Sequence, residues 1–228
     1  MTPEHIRDGL VYLVALIMSI CVHEFGHAFV ADKLGDPLPR SQGRVTLNPL
    51  AHIDPIGTIV LPLVAFFTSI NSPELGSRIL GWGKPVEVSL SARSMTRKIS
   101  IRTADILISI AGPAMNILFA LLLSGVYVAL LKFATTEKAF SFVRPVASII
   151  AMNIGLCFFN LIPCPPLDGG HVAVNLLPRR HPVADFLQNY GQYILFALLM
   201  SGMLRVVMGP VRQLAGLWIN LLTGWFLS

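Results

Sequence analysis

His23-Glu24-Phe25-Gly26-His27 sets two imidazoles four residues apart. On a helix that is one turn, so both rings leave the same face and can bind one ion. Glu24, beside the first of them, is placed to act as general base on water that such an ion activates. The pentapeptide alone is a weak signal. Here it puts three ionisable residues into an apolar run, and each costs on the order of a few kcal/mol in a bilayer unless it is paired or metal-bound. Polar residues at a helix end near the interface would be the bland alternative. A hydrolytic zinc takes three protein ligands and keeps a fourth position for water, so the third ligand must come from elsewhere. The best remaining candidate is Asp168, in Asn160-Leu161-Ile162-Pro163-Cys164-Pro165-Pro166-Leu167-Asp168-Gly169-Gly170. It is the only carboxylate between Glu137 and Asp185, at a Pro- and Gly-rich break in an apolar segment. Broken backbone at membrane depth is tolerated where it lines a site or a cavity.

The elements that must position these residues read as membrane helices. Of the 228 residues, 54% are hydrophobic and 13% charged, against roughly a quarter charged in soluble domains. Residues 9–31, 103–131, 144–157 with their continuation, 187–208 and, more weakly, 211–227 are long apolar stretches, and spanning takes roughly 20 such residues. Residues 56–70 are shorter and contain Pro62, which suits a re-entrant hairpin as well as a crossing. The apolar and polar alternation over 86–90, after Gly81-Trp82-Gly83-Lys84-Pro85, predicts a short strand with residues 41–47 as its partner. The expected fold is therefore an all-α multi-pass membrane protein with about five to six transmembrane helices and a small membrane-associated β-sheet or re-entrant hairpin. It would be a single domain over 1–228, with a catalytic core at about 9–176 and C-terminal helices at 187–228.

Composition excludes other classes. Cys21, Cys157 and Cys164 all lie in apolar stretches and lack the spacing of a disulfide framework or a thiolate zinc module. The formal charge of +5 comes from residues scattered through loops, which speaks of membrane orientation and not of nucleic acid. The first apolar run continues into the His motif with no small-residue cleavage site after it, so it reads as retained.

The chain resembles the site-2 protease family of intramembrane zinc metalloproteases. The resemblance rests on His23-Glu24-Phe25-Gly26-His27, on Ala111-Gly112-Pro113-Ala114-Met115-Asn116 and on the Asn160 to Gly170 segment. It extends to Asn48-Pro49-Leu50-Ala51-His52-Ile53-Asp54-Pro55-Ile56-Gly57-Thr58 and to Gly81-Trp82-Gly83-Lys84-Pro85, covering about residues 10–176. It implies one zinc held by His23, His27 and Asp168, Glu24 as general base and Asn160 as a donor to the oxyanion. It also implies substrates that are single-span membrane proteins, such as a tethered anti-sigma factor or signal-peptide remnants, in a minimal form without the family's PDZ domain.

Chemistry alone asks for a fixed amide near the attacked carbonyl, and Asn160 or Asn116 would serve, Asn116 having interhelical packing as its other role. His171, three residues after Asp168, is a candidate to support a ligand by hydrogen bonding or to be a surplus one. His52 precedes a Pro-rich entry and is a candidate to approach the site.

The His motif ends its helix and Asp168 follows the helix that begins near Arg144. One ion shared between them requires those helices to run the same way, so residues 56–70 should not cross alone. The loops on the metal side then hold most of the basic residues, among them Lys33, Arg40, Arg44, Arg78, Lys84, Arg93, Arg97, Lys98 and Arg102, which places that side in the cytoplasm. The expected activity is hydrolysis of a peptide bond within a transmembrane segment, in the cell membrane. The rival is a metal transporter or sensor using the same His/His/Asp ligands.

Overall fold

The computed structural model describes residues 3–71, 81–89, 99–178 and 180–227. Helix α1 (Pro3–Leu34) opens on a proline, tolerated in a first turn whose N–H has no partner. It stops at Gly35, whose φ of 101° only glycine adopts freely. A π-helical turn (Pro55–Val60) capped by the Asp54 carboxylate runs into α2 (Leu61–Asn71). Helix α3 (Ile101–Phe133) is capped by Ser100, whose hydroxyl accepts from the Thr103 amide. Next come α4 (Val143–Asn160), α5 (Asp168–Leu176), α6 (Pro182–Met200), α7 (Met203–Val207) and α8 (Gly209–Leu227).

Helix α3 is the spine, packed along both α1 and α4. His23 reaches Asn116 while His27 reaches Ile108, so α1 and α3 are antiparallel. A short link joins α3 back to α4, and Asn116 meets Asn153 across that pair. Helices α1 and α4 therefore run the same way, as one shared ion requires. Ala31 and Leu34 pack on Ala104 and Ile108, so the chain between α1 and α3 leaves and returns at one end.

A ladder of polar side chains crosses the apolar contact. The Asn116 amide donates to the Ser19 carbonyl at 3.1 Å and to Asn153 Oδ1 at 2.8 Å, and Asn153 donates to the Ser19 hydroxyl at 2.8 Å. All three side chains are fully buried, and such bonds fix helix register where apolar packing alone would let helices slide.

One expectation is corrected. No strand occurs among the described residues, so the small β-sheet is absent there; Leu90 lies outside them, as do Arg78, Arg93, Arg97 and Lys98. Residues 81–89 have no regular secondary structure and bond to side chains and to a neighbouring turn. Trp82 N–H donates to Gly57 O and Lys84 N–H to His52 O. Pro85 has no N–H to continue a ladder, and the expected partner 41–47 turns at Gly43, with φ of 67°.

The five to six spans are not confirmed. Three described helices, Gly9–Leu34, Ile101–Phe133 and Val143–Asn160, are long and apolar enough to cross a membrane. The C-terminal stretches form one pair, Pro182–Met200 and Met203–Gly224, bent by 87° at Gly202, which takes the left-handed conformation at φ 75°. Pro55–Thr68 is apolar but too short, reaching about 21 Å as a helix against a core of about 30 Å.

Candidate active site

The His motif sits where α1 crosses α3. Small residues allow the approach: a Cβ on Gly26 would lie 2.7 Å from the Ala111 carbonyl oxygen, and one on Gly112 would lie 2.4 Å from His27 Nε2. Pro113 interrupts the hydrogen-bond ladder of α3 beside this crossing. Asp168 opens α5 after a tight loop through Pro163, Pro165 and Pro166, with the Pro165–Pro166 peptide cis. That loop folds onto Gly169, where a Cβ would meet the Leu161 carbonyl at 2.3 Å.

These elements bring His23, His27 and Asp168 together. The two Nε2 atoms are 3.0 Å apart. Asp168 Oδ2 lies 3.2 Å from His23 Nε2, and its Oδ1 lies 3.4 Å from His27 Nε2. Both rings are anchored through their other nitrogen. His27 Nδ1 meets the Ile108 carbonyl at 2.7 Å, which can only accept, so Nδ1 carries the proton. His23 Nδ1 meets Asn116 Oδ1 at 2.6 Å. The Asn116 Nδ2 faces two further oxygens, which fixes the amide's orientation and makes His23 Nδ1 the donor too.

Both Nε2 atoms are therefore left as lone pairs, aimed at each other and at a carboxylate. Asp168 Oδ2 is buried without a hydrogen-bond partner. Converging lone pairs in an apolar surrounding repel unless a cation lies among them. Two neutral imidazoles and one carboxylate match the donor set of a hydrolytic zinc. The residues fit the metal.

Glu24 is half-buried on the turn between the two histidines, and its Oε2 accepts the Val86 N–H at 3.0 Å. The 81–89 segment thus reaches the Glu24 face of α1. Asn116, fully buried, orients His23, with both ends of its amide occupied. Asn160 ends α4 with its Nδ2 donating to the Leu156 carbonyl of its own helix at 3.0 Å, and it has no hydrogen bond to the His/Asp cluster.

His171 is exposed and turned toward Asp105, Nδ1 to Oδ2 at 3.7 Å, a carboxylate that raises its pKa. It is not part of the group of ligand atoms that lie within 4.8 Å of one another. His52 is buried behind the 81–89 segment. Its Nε2 donates to the Thr46 carbonyl at 2.8 Å, and its Nδ1 has no partner. Burial, reinforced by the Arg44 guanidinium, holds its pKa below the ordinary imidazole value.

Sequence reading missed Ser19, Asn153 and the Val86 amide. Asn153 carried a signal, being an uncharged polar residue inside an apolar helix where its amide needs a partner. A backbone N–H carries none. A cavity of about 1500 Å³ opens elsewhere, between α1, α4 and the C-terminal helices, with Tyr12, Met152 and Phe159 in its wall, and none of the ligand residues lines it.

Comparison with known proteins agrees with this geometry. The family model for peptidase family M50 matches residues 11–202. Two relatives carry the name "Putative zinc metalloprotease". YwhC of Bacillus subtilis (strain 168) is 35% identical over 206 residues, covering 87% of this chain and 84% of that protein. Rip2 of Mycolicibacterium smegmatis is 32% identical over 196 residues, covering 84% of this chain and 67% of that protein. No solved structure matches. The chain belongs to peptidase family M50, the site-2 protease family, and is a zinc metalloprotease.

Proposed function

We propose that the protein is a multi-pass endopeptidase of the cell membrane that hydrolyses a peptide bond within the transmembrane segment of single-span proteins. The observation that carries this is the placing of two ligands and a base inside an apolar helix, with a carboxylate brought against them, where each such group is costly unless it is used. A peptide bond reaching this site comes from a segment that shares the bilayer.

His23, His27 and Asp168 would hold the zinc, which would supply Lewis-acid polarisation of water and of the scissile carbonyl. Glu24 takes the proton from the attacking water and delivers it to the leaving amine, its carboxylate steadied by Val86 N–H. Asn116 holds the His23 ring and its tautomer. Because the Asn116 amide is fully engaged, the oxyanion donor is Asn160, whose one bond to its own helix carbonyl is exchangeable. The substrate helix must unwind locally to offer a carbonyl, since an intact helix engages it in an i to i+4 bond. The charge asymmetry of the loops supports a cytoplasmic position for the metal end of α1, with the 55–68 helix re-entrant.

The test is purified protein in detergent with a generic single-span reporter, comparing wild type and Glu24→Gln. One zinc per chain in both, with cleavage by the wild type alone, is expected. Equal cleavage by the variant would remove Glu24 from the mechanism. Metal transport surviving in Glu24→Gln after reconstitution into sealed vesicles, with no cleavage in either protein, would favour a carrier of the ion.

A further inference from the structure

Behind the Glu24 base lies a buried cation that the mechanism has not used. Arg44 is 4% exposed, and no carboxylate lies within ion-pair distance of it among the described residues. Its guanidinium is spent on backbone carbonyls. Nη2 donates to Lys84 O at 2.8 Å and to Pro85 O at 2.6 Å, and Nη1 donates to Ala51 O. A buried charge satisfied only by carbonyl dipoles is expensive, so what it fixes is informative. Residue 86 follows directly, and its N–H is the donor to Glu24 Oε2 at 3.0 Å.

The same strap is held at other points. Lys84 N–H donates to His52 O at 2.9 Å. Farther along, Gln42 Nε2 donates to Glu87 Oε2 at 2.7 Å and Ser89 N–H to Asp36 Oδ2 at 2.5 Å. Side chains of the 36–52 loop therefore hold a segment that has no strand partner of its own. Arg44 is the member of that set that grips the two carbonyls immediately before the Val86 amide.

We infer that Arg44 is a positioning residue for the Glu24 base, acting through residues 84–86 to hold the Val86 N–H on the carboxylate. The inference rests on the peptidase reading for its kinetic consequence but not for its structural one. Lysine cannot substitute, because gripping adjacent carbonyls needs the planar fork of a guanidinium and an ammonium is a point donor.

The experiment uses the full chain in detergent and has two arms. In the first, amide hydrogen exchange is followed at Val86, which is protected in the wild type. Arg44→Lys raises its exchange while the amides of α1 keep theirs. In the second, zinc content, KM and kcat are measured on a single-span reporter. Arg44→Lys keeps its zinc and KM and loses about 100-fold in kcat, the scale of a misplaced catalytic group. Val86→Pro, which deletes the N–H itself, loses a similar factor, and the double variant is no slower than Val86→Pro alone, because both remove one bond. Losses that multiply, or Val86 exchange unchanged in Arg44→Lys, would overturn the proposal. If Arg44→Lys is not recovered folded, Arg44→Gln carries both arms. A wild type that does not cut the reporter would count against the peptidase reading, and the exchange arm would still decide the role of Arg44.

Discussion

Replacing Asn116 with leucine removes one amide that serves three partners on two other helices. His23 Nδ1 loses its acceptor at 2.6 Å, and the Ser19 carbonyl and Asn153 Oδ1 lose donors at 3.1 and 2.8 Å. The position is fully buried, so water does not replace them. Hydrogen bonds between membrane helices average about 0.6 kcal/mol, which puts the structural loss near 2 kcal/mol for the set. The functional loss is separate. Removing the partner that orients a metal-binding histidine weakens metal affinity by about 10- to 100-fold, because His23 can then rotate or change tautomer. The assay is zinc competition against a chelator of known affinity, alongside thermal unfolding of the metal-free protein. Weaker zinc binding, with activity restored by added zinc, is expected. Unchanged zinc affinity with activity lost would refute the orienting role and return Asn116 to the oxyanion.

Gly112→Ala places a methyl 2.4 Å from His27 Nε2 and 2.7 Å from His23 Cε1; zinc bound per chain should fall well below one, as read by elemental analysis, while Gly125→Ala, with open space around it, should bind normally. His52 has its pKa held below the ordinary 6.5, so the folded state favours the neutral ring. Its contribution is present above about pH 6.5 and lost as pH falls through the depressed value, and His52→Gln should flatten that limb of a Tm-against-pH curve. Chelation should lower Tm, and restoring zinc to 100 times its Kd should recover about 2.7 kcal/mol. Cysteines placed at positions 77 and 94, which lie outside the described residues, should be labelled from the cytoplasm; labelling only from outside the cell would reverse the assigned orientation.

Much of the site was legible because its chemistry is local in sequence. The His23 to His27 spacing and the lone carboxylate at Asp168 are patterns of residue type, and the structure brings them within ligand distance of one another. The direction of α4 followed from asking where one ion must sit. What was not legible depended on tertiary partners. Residues 86–90 alternate as a strand does, but a strand needs a neighbour with free backbone groups, and the 41–47 turn offers the Arg44 side chain instead. His52 and His171 looked alike as nearby histidines. Only the fold separates one buried against Thr46 from one exposed beside Asp105. The five to six spans read from apolar length are not confirmed among the described residues, where Gly202 bends two C-terminal stretches into one broken pair.

The position of the site follows from what a metal asks of a membrane protein. Ligands from α1 alone would leave His23 and His27 on one exposed face, and the carboxylate comes from beyond two further helices. Helix α3 solves both problems. It lies between them, packing on α1 and on α5, and supplies the Ile108 carbonyl and the Asn116 oxygen that set both rings. Gly112 leaves the space in which the Nε2 atoms meet. That is why α3, which contributes no ligand, sets how closely the two rings approach, and why substitutions at Gly112 should be felt first in the metal and only afterwards in the fold.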